Sequence, residues 1–399
     1  MERGRLPGVS APEQIVCHAD MDCFYAACER LREPALRGEP LVVGMGYEPG
    51  TTNGAVATAS YEAREFGVES AQAISEALEL LPRKIDAAQN GGSVEEAGFY
   101  RPVDMEYYES VAEDVREIIH EEADTVREVS IDEAYLDLTE RVEWEDVEEF
   151  GRELKARIES EVGVTASLGI APTMSAAKVA SDHDKPDGLV VVEPGEVRSF
   201  LADLPVEDVH GVGPVTAARM RELDIETAGD LAEADPGTLE TEFGERGRRV
   251  HRFARGEDER AVEPKGRPKS FSSESAFHEP TDDEAAQHER IEQLATGVAE
   301  RADRQDVLYQ TIGIKAVMPP FEVRTRARSL PGPVADGELL REVAAELFEE
   351  FAGDRIRKVG VRVSKLSFGA DEQPSLSAFE SDDQGPDSAD GQHSLTDFD

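Results

Sequence analysis

Apolar and polar positions recur along the chain with periods near 2 and near 3.6, which predict short strands and amphipathic helices. An apolar run at 15–22 predicts a first strand, and Phe24 begins the helix that follows it. With a hairpin between two later helices, the order strand, helix, hairpin, helix, strand predicts a split βαβ sheet. The other predicted strands are 41–44, 55–59 and 164–171, and the two longer helices are 105–122 and 142–161.

The predicted hairpin places two adjacent carboxylates, Asp132 and Glu133, inside an apolar, β-prone run. If residues 131–133 form its reversal, strand alternation is suspended there and both acids can point into one site. Two carboxylates in a partly buried place raise each other's pKa, and a divalent cation removes that penalty. For this pair alone, a solvated hairpin tip is the alternative.

A second acidic segment, Asp20-Met21-Asp22, ends the first predicted strand, and a period of 2 puts Asp20 and Asp22 on one face. Mg²⁺ prefers hard oxygen ligands, commonly one or two carboxylates with water and substrate phosphate. Two such ions about 3.5–4 Å apart form the clamp used for in-line phosphoryl transfer. Asp20 with Asp132 and Glu133 would supply that clamp.

Residues 20–26, 55–64 and 130–137 resemble the signature motifs of Y-family DNA polymerases, in the DinB or polymerase IV branch, and the resemblance runs in order from 15 to 368. It implies an α+β, multidomain right-hand fold with a ferredoxin-like palm, small fingers, a helical thumb with a helix-hairpin-helix, and an α/β little finger. It also implies low-fidelity, template-dependent translesion synthesis, in which two Mg²⁺ ions assist transfer of a nucleotide from dNTP to a primer 3′-hydroxyl with release of pyrophosphate.

The same resemblance assigns roles to individual residues. Asp20, Asp132 and Glu133 match the catalytic metal ligands, with the backbone carbonyl of Met21 as a further ligand. Tyr25 matches the steric gate beneath the incoming sugar, although one aromatic at a helix start can also be core packing. The residues that match contacts to the dNTP triphosphate are Thr58, Tyr61, Arg64 and Lys178, which read alone would be ordinary strand and helix surface.

The domain boundaries follow from the motifs and the composition. Residues 85–98 are predicted to be a loop insertion, and Asp104 stands where a basic residue is more usual, so it receives no phosphate-binding role. The predicted parts are a disordered leader (1–14), palm (15–23 and 104–185), fingers (24–103), thumb (186–256), linker (257–268), little finger (269–368) and a disordered acidic tail (369–399).

The net charge of −44 argues against nucleic-acid binding, because a DNA-binding protein is expected to carry a basic footprint. Such a composition is typical of proteins kept soluble in molar salt, where the Debye length falls to about 3 Å, and it predicts a halophilic archaeal source. An acidic protein that avoids nucleic acid is the alternative, and the positions of the positive charges decide between the two.

Two regions predict DNA contacts despite that charge. Gly211 and Gly213 permit a tight turn before Pro214, and the free N–H groups of the helix start can bind a backbone phosphate. Basic residues then cluster on strands near the C-terminus, which predicts a surface that follows the DNA backbone, with a solvated edge strand as the alternative. These residues are Arg324, Arg326, Arg328, Arg357 and Lys358.

The tail from 371 to 399 is acidic and poor in apolar residues, so we expect disorder. Gln392, Leu395 and Phe398 have the spacing of a sliding-clamp-binding peptide, and 373–379 repeats the pattern; the terminal copy is the preferred one. The expected partners are therefore primer-template DNA, dNTP and a sliding clamp, and we expect a monomer.

Three cysteines without metal-ligand spacing favour a reducing cytosol, and the absence of an 18-residue apolar run predicts a cytoplasmic protein that neither is secreted nor spans a membrane.

Two other functions remain open. A nucleotidyl cyclase-like enzyme could use similar paired acids but has no need of a hairpin-helix or basic strands. A non-catalytic, clamp-associated DNA-binding scaffold would have no need of the acidic trio.

Overall fold

The computed structural model describes residues 14–368, which form two compact units that divide between Lys265 and Gly266. The α+β mixture of helices and sheets agrees with the predicted fold class. The first unit contains, in chain order, β1 (Val16–Met21), α1 (Phe24–Arg32), β2 (Leu41–Met45), β3 (Ala55–Ala59), α2 (Tyr61–Arg64), α3 (Ile74–Leu80), α4 (Lys84–Asn90), β4 (Phe99–Pro102), α5 (Met105–Glu122), β5 (Thr125–Glu128), β6 (Glu133–Asp137), α6 (Val147–Glu161), β7 (Ala166–Ala171), α7 (Met174–His183), β8 (Leu189–Val191), α8 (Val197–Ala202), α9 (Pro214–Arg221), α10 (Ala228–Glu233) and α11 (Pro236–Ala254).

The central sheet of the first unit has the strand order β5-β6-β1-β7-β8, as the split βαβ prediction requires. β1 lies in the middle, antiparallel to both β6 and β7, and is buried along its whole length. Cys17, Ala19 and Met21 share an apolar core with α5 and α6. Because strand side chains alternate between faces, His18 and Asp20 point to the opposite face, where α7 packs.

A three-stranded sheet, β3-β2-β4, forms a separate part of the first unit. The loop predicted at 85–98 is wrong at its start, because Lys84–Asn90 forms α4 and ends at Gly91 in a left-handed conformation (φ 74°). Ala87 buries its side chain from this helix, and good helix formers precede the glycine pair. The Asn-Gly-Gly sequence therefore marks the end of a helix here.

The helices α8 to α11 share an apolar core with α7, and α9 begins at Pro214. Of the two glycines predicted to permit the tight turn before it, Gly211 has a positive φ of +91°, whereas Gly213 is extended (φ −93°) in a conformation that needs no glycine. A second break falls inside α11, at Gly244 (φ 62°, ψ −144°). Gly247 permits the close packing that follows, since a Cβ there would lie 2.2 Å from the carbonyl oxygen of Leu239. The helical region therefore contains two sharp glycine turns.

The second unit is a four-stranded antiparallel sheet, β11-β10-β12-β9, covered on one face by two helices. Alternate residues of β12, such as Val359, Val361 and Val363, are buried against those helices. In the part of the chain that the structure describes, no helix is long and apolar enough to cross a membrane. The elements are β9 (Ser270–Thr281), α12 (Glu284–Arg304), β10 (Val307–Met318), β11 (Glu322–Val334), α13 (Gly337–Phe348) and β12 (Ile356–Phe368).

Candidate active site

Asp20 and Glu133 lie directly opposite each other on the neighbouring strands β1 and β6. Opposed residues of an antiparallel pair have Cβ atoms roughly 4.5–5.5 Å apart, so two carboxylates here repel unless a cation lies between them. The ammonium Nζ of Lys178 on α7 fills that role, at 2.7 Å from Asp20 Oδ2 and 3.2 Å from Glu133 Oε1. The predicted acids and the predicted phosphate-binding lysine therefore meet in one cluster.

A second lysine, which the sequence did not single out, completes the charge balance. Nζ of Lys185 lies 2.7 Å from Asp20 Oδ1 and 2.8 Å from Asp182 Oδ1, so both oxygens of Asp20 contact an ammonium group. Burial opposes the charge of each lysine, but the adjacent carboxylates outweigh it and raise the pKa of Lys178 and of Lys185. Both lysines are therefore cationic at neutral pH.

Asp132 lies in the turn just before β6. Its backbone carbonyl accepts a hydrogen bond of 2.9 Å from the amide of Met21, and its Oδ1 accepts one of 2.6 Å from the hydroxyl of Ser130. Burial, and to a smaller extent the charges of Asp20 and Glu133, raise the pKa of Asp132. A carboxyl group whose charge is disfavoured in this way gains most from a bound cation.

The imidazole of His18 also belongs to this cluster and was absent from the sequence prediction. His18 Nε2 lies 3.8 Å from Glu133 Oε2, and ligand atoms of His18, Asp20 and Glu133 all lie within 4.8 Å of one another. The imidazole and then Lys178 lower the pKa of Glu133 to about 2, and burial lowers the pKa of His18 itself. The signal available in the sequence was its position, two residues before Asp20 on the same strand face.

Asp22 plays a different part from Asp20, although a period of 2 groups them together. β1 ends at Met21, and the buried Asp22 carboxylate accepts hydrogen bonds from Tyr61 Oη (3.0 Å), Ser167 Oγ (2.9 Å) and the Asp187 amide (2.8 Å). With three protein donors on its two oxygens, Asp22 connects α2, β7 and the turn after α7. Its carboxylate acts as a structural acceptor in this arrangement.

The residues that are predicted to contact the nucleotide lie on several elements of the first unit, and one of them, Tyr61, is bonded to Asp22. Tyr25 is half-buried and stacks on Tyr108 with ring centroids 4.7 Å apart, and the charge of Asp132 contributes, after burial, to its raised pKa. Tyr61 donates to Asp22, and the Arg64 guanidinium lies over the Tyr61 ring and donates to the Ala59 carbonyl. Thr58 lies on β3, opposite Val43 of β2. Their roles toward a nucleotide stay predictions.

The donor set fits a divalent cation. The carboxylates of Asp20 and Glu133 supply hard oxygen ligands within 4.8 Å of each other and of His18, whereas the predicted third ligand, Asp132, is not part of that group. The two ammonium groups on Asp20 show that the cluster attracts positive charge. Met21 is the further predicted ligand, through its backbone carbonyl. The backbone amide of Met21 donates a hydrogen bond to the backbone carbonyl of Asp132. The arrangement has the charge and ligand chemistry that Mg²⁺ requires.

Three of the four predicted DNA-binding arginines of the second unit have carboxylate partners. Arg324, Arg326 and Arg328 share one side of β11, as their spacing predicts, and form ion pairs with Asp354, Glu350 and Glu346 respectively. In β12, Lys358 pairs with Glu274, and the Arg357 guanidinium lies 4.5 Å from the centre of the Phe321 ring. Four of these five basic residues are therefore charge-compensated by carboxylates in the absence of DNA, and Arg357 contacts an aromatic ring instead.

A group of arginines on α11 is a second feature that sequence reasoning missed. Five arginines follow the break at Gly244 within ten residues, a dense run in a chain of such negative charge. Arg246 and Arg249 are exposed and form no ion pair with any carboxylate in residues 14–368, whereas Arg255 pairs with Glu257. We name Arg246, Arg248, Arg249, Arg252 and Arg255 the thumb arginines.

A split βαβ sheet whose central strand and adjacent hairpin bring the carboxylates of Asp20 and Glu133 to one candidate cation site, with Asp132 in the turn before β6, is compatible with a metal-dependent nucleotidyltransferase. Comparison with known sequences narrows this class. The impB/mucB/samB family matches residues 19–182, its C-terminal domain matches 268–377, and the HHH motif of the same family matches 194–225, which include Gly211 and Gly213.

The chain is 61% identical over 382 residues to a DNA polymerase IV of Halobacterium salinarum, covering 96% of this chain and 92% of the relative. It is 37% identical to a DNA polymerase IV of Methanoculleus marisnigri, covering 92% and 98%. Among solved structures, it resembles a Y-family DNA polymerase chimera of Dbh and Dpo4 (TM-score 0.76, 28% identity, 89% and 99% coverage) and an insertion ternary complex of Dbh DNA polymerase (TM-score 0.63, 26%, 88% and 98%).

The chain therefore belongs to the Y-family DNA polymerases, in the DNA polymerase IV branch. The predicted fold class and enzyme class, a multidomain α+β protein and a DNA-directed DNA polymerase of the translesion type, are confirmed. The halophilic composition agrees with the Halobacterium relative. The predicted clamp-binding residues Gln392, Leu395 and Phe398, like residues 1–13 of the predicted leader, lie outside the described residues.

Proposed function

We propose that the chain extends a primer 3′-hydroxyl by two-metal nucleotidyl transfer, with Asp20, Asp132 and Glu133 as the ligands of two Mg²⁺ ions. The observation that carries this proposal is the pairing of Asp20 and Glu133 across β1 and β6 with Lys178 between them. Bound Mg²⁺ would activate the primer hydroxyl and stabilise charge on the α-phosphate and the leaving pyrophosphate. Both rivals, a cyclase-like enzyme and a non-catalytic scaffold, predict no primer extension.

Lys178 has two alternative partners in this mechanism. Without ligands its ammonium group neutralises Asp20 and Glu133. If those carboxylates held divalent cations, their attraction for Lys178 would be offset, and its ammonium would be available to the triphosphate of a dNTP. Arg64 offers a planar set of donors to phosphate oxygens, and Tyr61 is held beside it by Asp22. The chain's own cations would thus move from carboxylates to phosphates as substrate binds.

Primer extension in molar KCl with Asp132→Ala and Glu133→Ala tests the metal assignment. Even the residues that orient metal ligands are worth about 10–100-fold, so loss of a ligand should lower the extension rate by more than about 100-fold. Glu128→Ala is a matched control, because Glu128 lies on the same hairpin and pairs instead with Arg116 and His120. Extension by either acid variant at the wild-type rate would contradict the proposal.

We also propose that the Gly211–Gly213 turn, the thumb arginines and the basic strands β11 and β12 bind the backbone of primer-template DNA, each within its own unit. Amide groups at a helix start and arginine side chains are the usual sequence-independent phosphate ligands. The Dbh relative has been solved as an insertion ternary complex, and its fold covers 88% of this chain. Low fidelity and lesion bypass follow from the same family assignment and are tested by extension past a defined lesion.

The tail proposal is that Gln392, Leu395 and Phe398 bind a sliding clamp. Removal of 390–399 should leave basal extension unchanged and abolish stimulation by the clamp. Substitution of Leu376 and Phe379 by Ala in the upstream copy is the control and should leave stimulation intact. Stimulation that survives the truncation would assign the contact elsewhere.

A further inference from the structure

His18 is a fully buried residue whose ring is held on two sides. Its Nδ1 lies 2.8 Å from the hydroxyl oxygen of Ser181, and its ring meets that of Tyr135 edge to face, with centroids 4.6 Å apart. Its other nitrogen, Nε2, has no hydrogen bond within residues 14–368 and faces Glu133 Oε2 at 3.8 Å. Buried polar atoms in proteins nearly always have partners, so this nitrogen requires an explanation.

The proton on Ser181 determines what Nε2 can do. The Ser181 oxygen lies 2.8 Å from His18 Nδ1 and 2.8 Å from the Lys178 carbonyl, but its hydroxyl has a single hydrogen. If Ser181 donates to the carbonyl, Nδ1 must carry the ring proton, and a bare Nε2 then faces a carboxylate. If Ser181 donates to Nδ1, the ring proton is on Nε2 and points at Glu133.

The second arrangement is favoured for two reasons. A carboxylate attracts an N–H dipole and repels a nitrogen lone pair, and it does so strongly in a buried place. The Lys178 carbonyl also lies inside α7, where the amide four residues later supplies its helical hydrogen bond, so it does not need Ser181. The geometry therefore places Ser181, His18 and Glu133 in a row, in which Ser181 and His18 are hydrogen-bonded and the 3.8 Å approach of Nε2 to Oε2 is an electrostatic attraction.

We propose that His18 is a positioning residue for the polymerase site: with its proton on Nε2, it holds Oε2 of Glu133 so that Oε1 faces Lys178 and the cation site. This inference rests on the proposed function, because it takes Glu133 to be a metal ligand. Hydrogen bonds to carboxylates that ligate a metal commonly orient them, and losing one costs about 10–100-fold in metal affinity. The proposal therefore has the 3.8 Å approach of Nε2 to Oε2 shorten to a hydrogen bond when Glu133 binds a cation. Tyr135 and Ser181 fix the imidazole, and the imidazole in turn fixes the carboxylate.

Two substitutions separate the N–H donor from the packing of the ring. His18→Phe keeps a ring beside Tyr135 but removes the N–H, so its Mg²⁺ affinity should fall about 10–100-fold. His18→Gln carries an amide N–H near the place of Nε2, so its affinity should stay within about threefold of wild type. The same split should appear in extension, as a raised KM for Mg²⁺ in His18→Phe with kcat at saturating Mg²⁺ little changed.

Calorimetric titration of the full chain with Mg²⁺, without DNA or dNTP, gives the affinities, and ¹⁵N NMR of histidine-labelled wild type gives the protonated nitrogen. We expect His18 to be protonated on Nε2 before and after Mg²⁺ is added. A proton on Nδ1, a nitrogen directly coordinated to bound Mn²⁺, or an unchanged affinity in a folded His18→Phe protein would each overturn the inference. If His18→Phe does not fold, the wild-type NMR measurement decides alone.

Glu133→Ala distinguishes this inference from the proposed function. If Glu133→Ala binds Mg²⁺ as tightly as wild type, the assignment of the metal site fails, and the role of His18 fails with it. If Glu133→Ala loses Mg²⁺ binding while folded His18→Phe retains it, the metal site stands and only the positioning role is wrong.

Discussion

Removal of the Asp22 carboxylate should destabilise the first unit more than removal of its neighbour Asp20. Asp22 is 4% exposed and accepts hydrogen bonds from Tyr61, Ser167 and Asp187, which belong to three separate segments. In Asp22→Ala these three donors lose their acceptor at once. Ser167 has no exposed surface, whereas Tyr61 and the Asp187 amide are only partly buried and can turn to water.

The magnitude follows from that count. A hydrogen bond to a charged group is worth about 1.5–3 kcal/mol, and a buried donor left unpaired costs about 1–3 kcal/mol. If the Ser167 hydroxyl bears the full cost of losing its acceptor and the other two donors bear part of it, the free energy of unfolding should fall by about 3–5 kcal/mol in Asp22→Ala. Asp22→Asn keeps one acceptor oxygen and should lose about half as much. Asp20→Ala leaves Lys178 and Lys185 with Asp182 as a partner, so about 1–2 kcal/mol is expected there.

Urea unfolding in molar KCl, followed by tryptophan fluorescence, measures these differences. Trp144 is the one tryptophan of the chain and lies in the first unit, so its signal reports the unit that contains Asp22. A loss below about 1 kcal/mol for Asp22→Ala, or one no larger than that of Asp20→Ala, would refute the view of Asp22 as a structural junction. Primer extension should separate the two residues in the opposite direction: Asp20→Ala should abolish extension, whereas Asp22→Asn should retain it with a raised KM for dNTP.

Three further predictions concern the sugar gate, the thumb arginines and His210. Tyr25→Ala should raise ribonucleotide incorporation relative to dNTP by about tenfold or more, while Tyr25→Phe, which keeps the ring on Tyr108, should not; equal ratios in all three proteins would remove Tyr25 from the gate. Arg246→Ala and Arg249→Ala should each lower the magnitude of the slope of log DNA affinity against log salt by about 0.9. Arg255→Ala should lower it by less, because Arg255 is already paired with Glu257. Equal slopes in all variants and in the wild type would show that DNA phosphates do not contact these arginines. Burial, and then the charge of Arg260, lower the pKa of His210 to about 4 in the folded protein, from about 6.5 in the unfolded chain. As pH drops from about 6.5 to 4, the unfolded chain therefore binds a proton at His210 that the folded protein does not, and the free energy of unfolding should fall. His210→Gln should show a smaller fall in that window, and an unchanged pH profile would contradict the assignment.

Local features of the fold were predictable because short-range patterns determine them. α5 runs from Met105 to Glu122, where the amphipathic period placed it, and Asp20 meets Glu133 because both lie where adjacent strands approach the same end of a sheet. The helix α4 was missed because its Asn-Gly-Gly ending was read as part of a loop, although the residues before it favour a helix. Prediction of the elements was therefore reliable where the hydrophobic period and the residues that end helices indicated the same boundaries.

Side-chain partners that are distant in sequence were not predictable from one sequence. His18 meets Ser181 across 163 positions, and Lys185 reaches Asp20 from a turn that looked merely structural. Each contact depends on the register of two strands and on the placement of α7, which no local pattern fixes. The partner of Arg326 is Glu350 for the same reason, since β11 and the turn after α13 are brought together by the core of the second unit.

Salt screening and the ion pairs of β11 together determine how a chain of net charge −44 would bind DNA. An arginine that already holds a carboxylate gains less from a phosphate than a free arginine does, because one ion pair replaces another. At low salt the many uncompensated acids would also repel the DNA backbone over long distances. Molar salt shortens the Debye length to about 3 Å, which removes that repulsion but leaves contacts at hydrogen-bond distance. We therefore expect the DNA affinity of this surface to weaken less with salt than its number of basic contacts implies. If the slope of log affinity against log salt had the full value for five phosphates, the internal ion pairs would not compete with DNA.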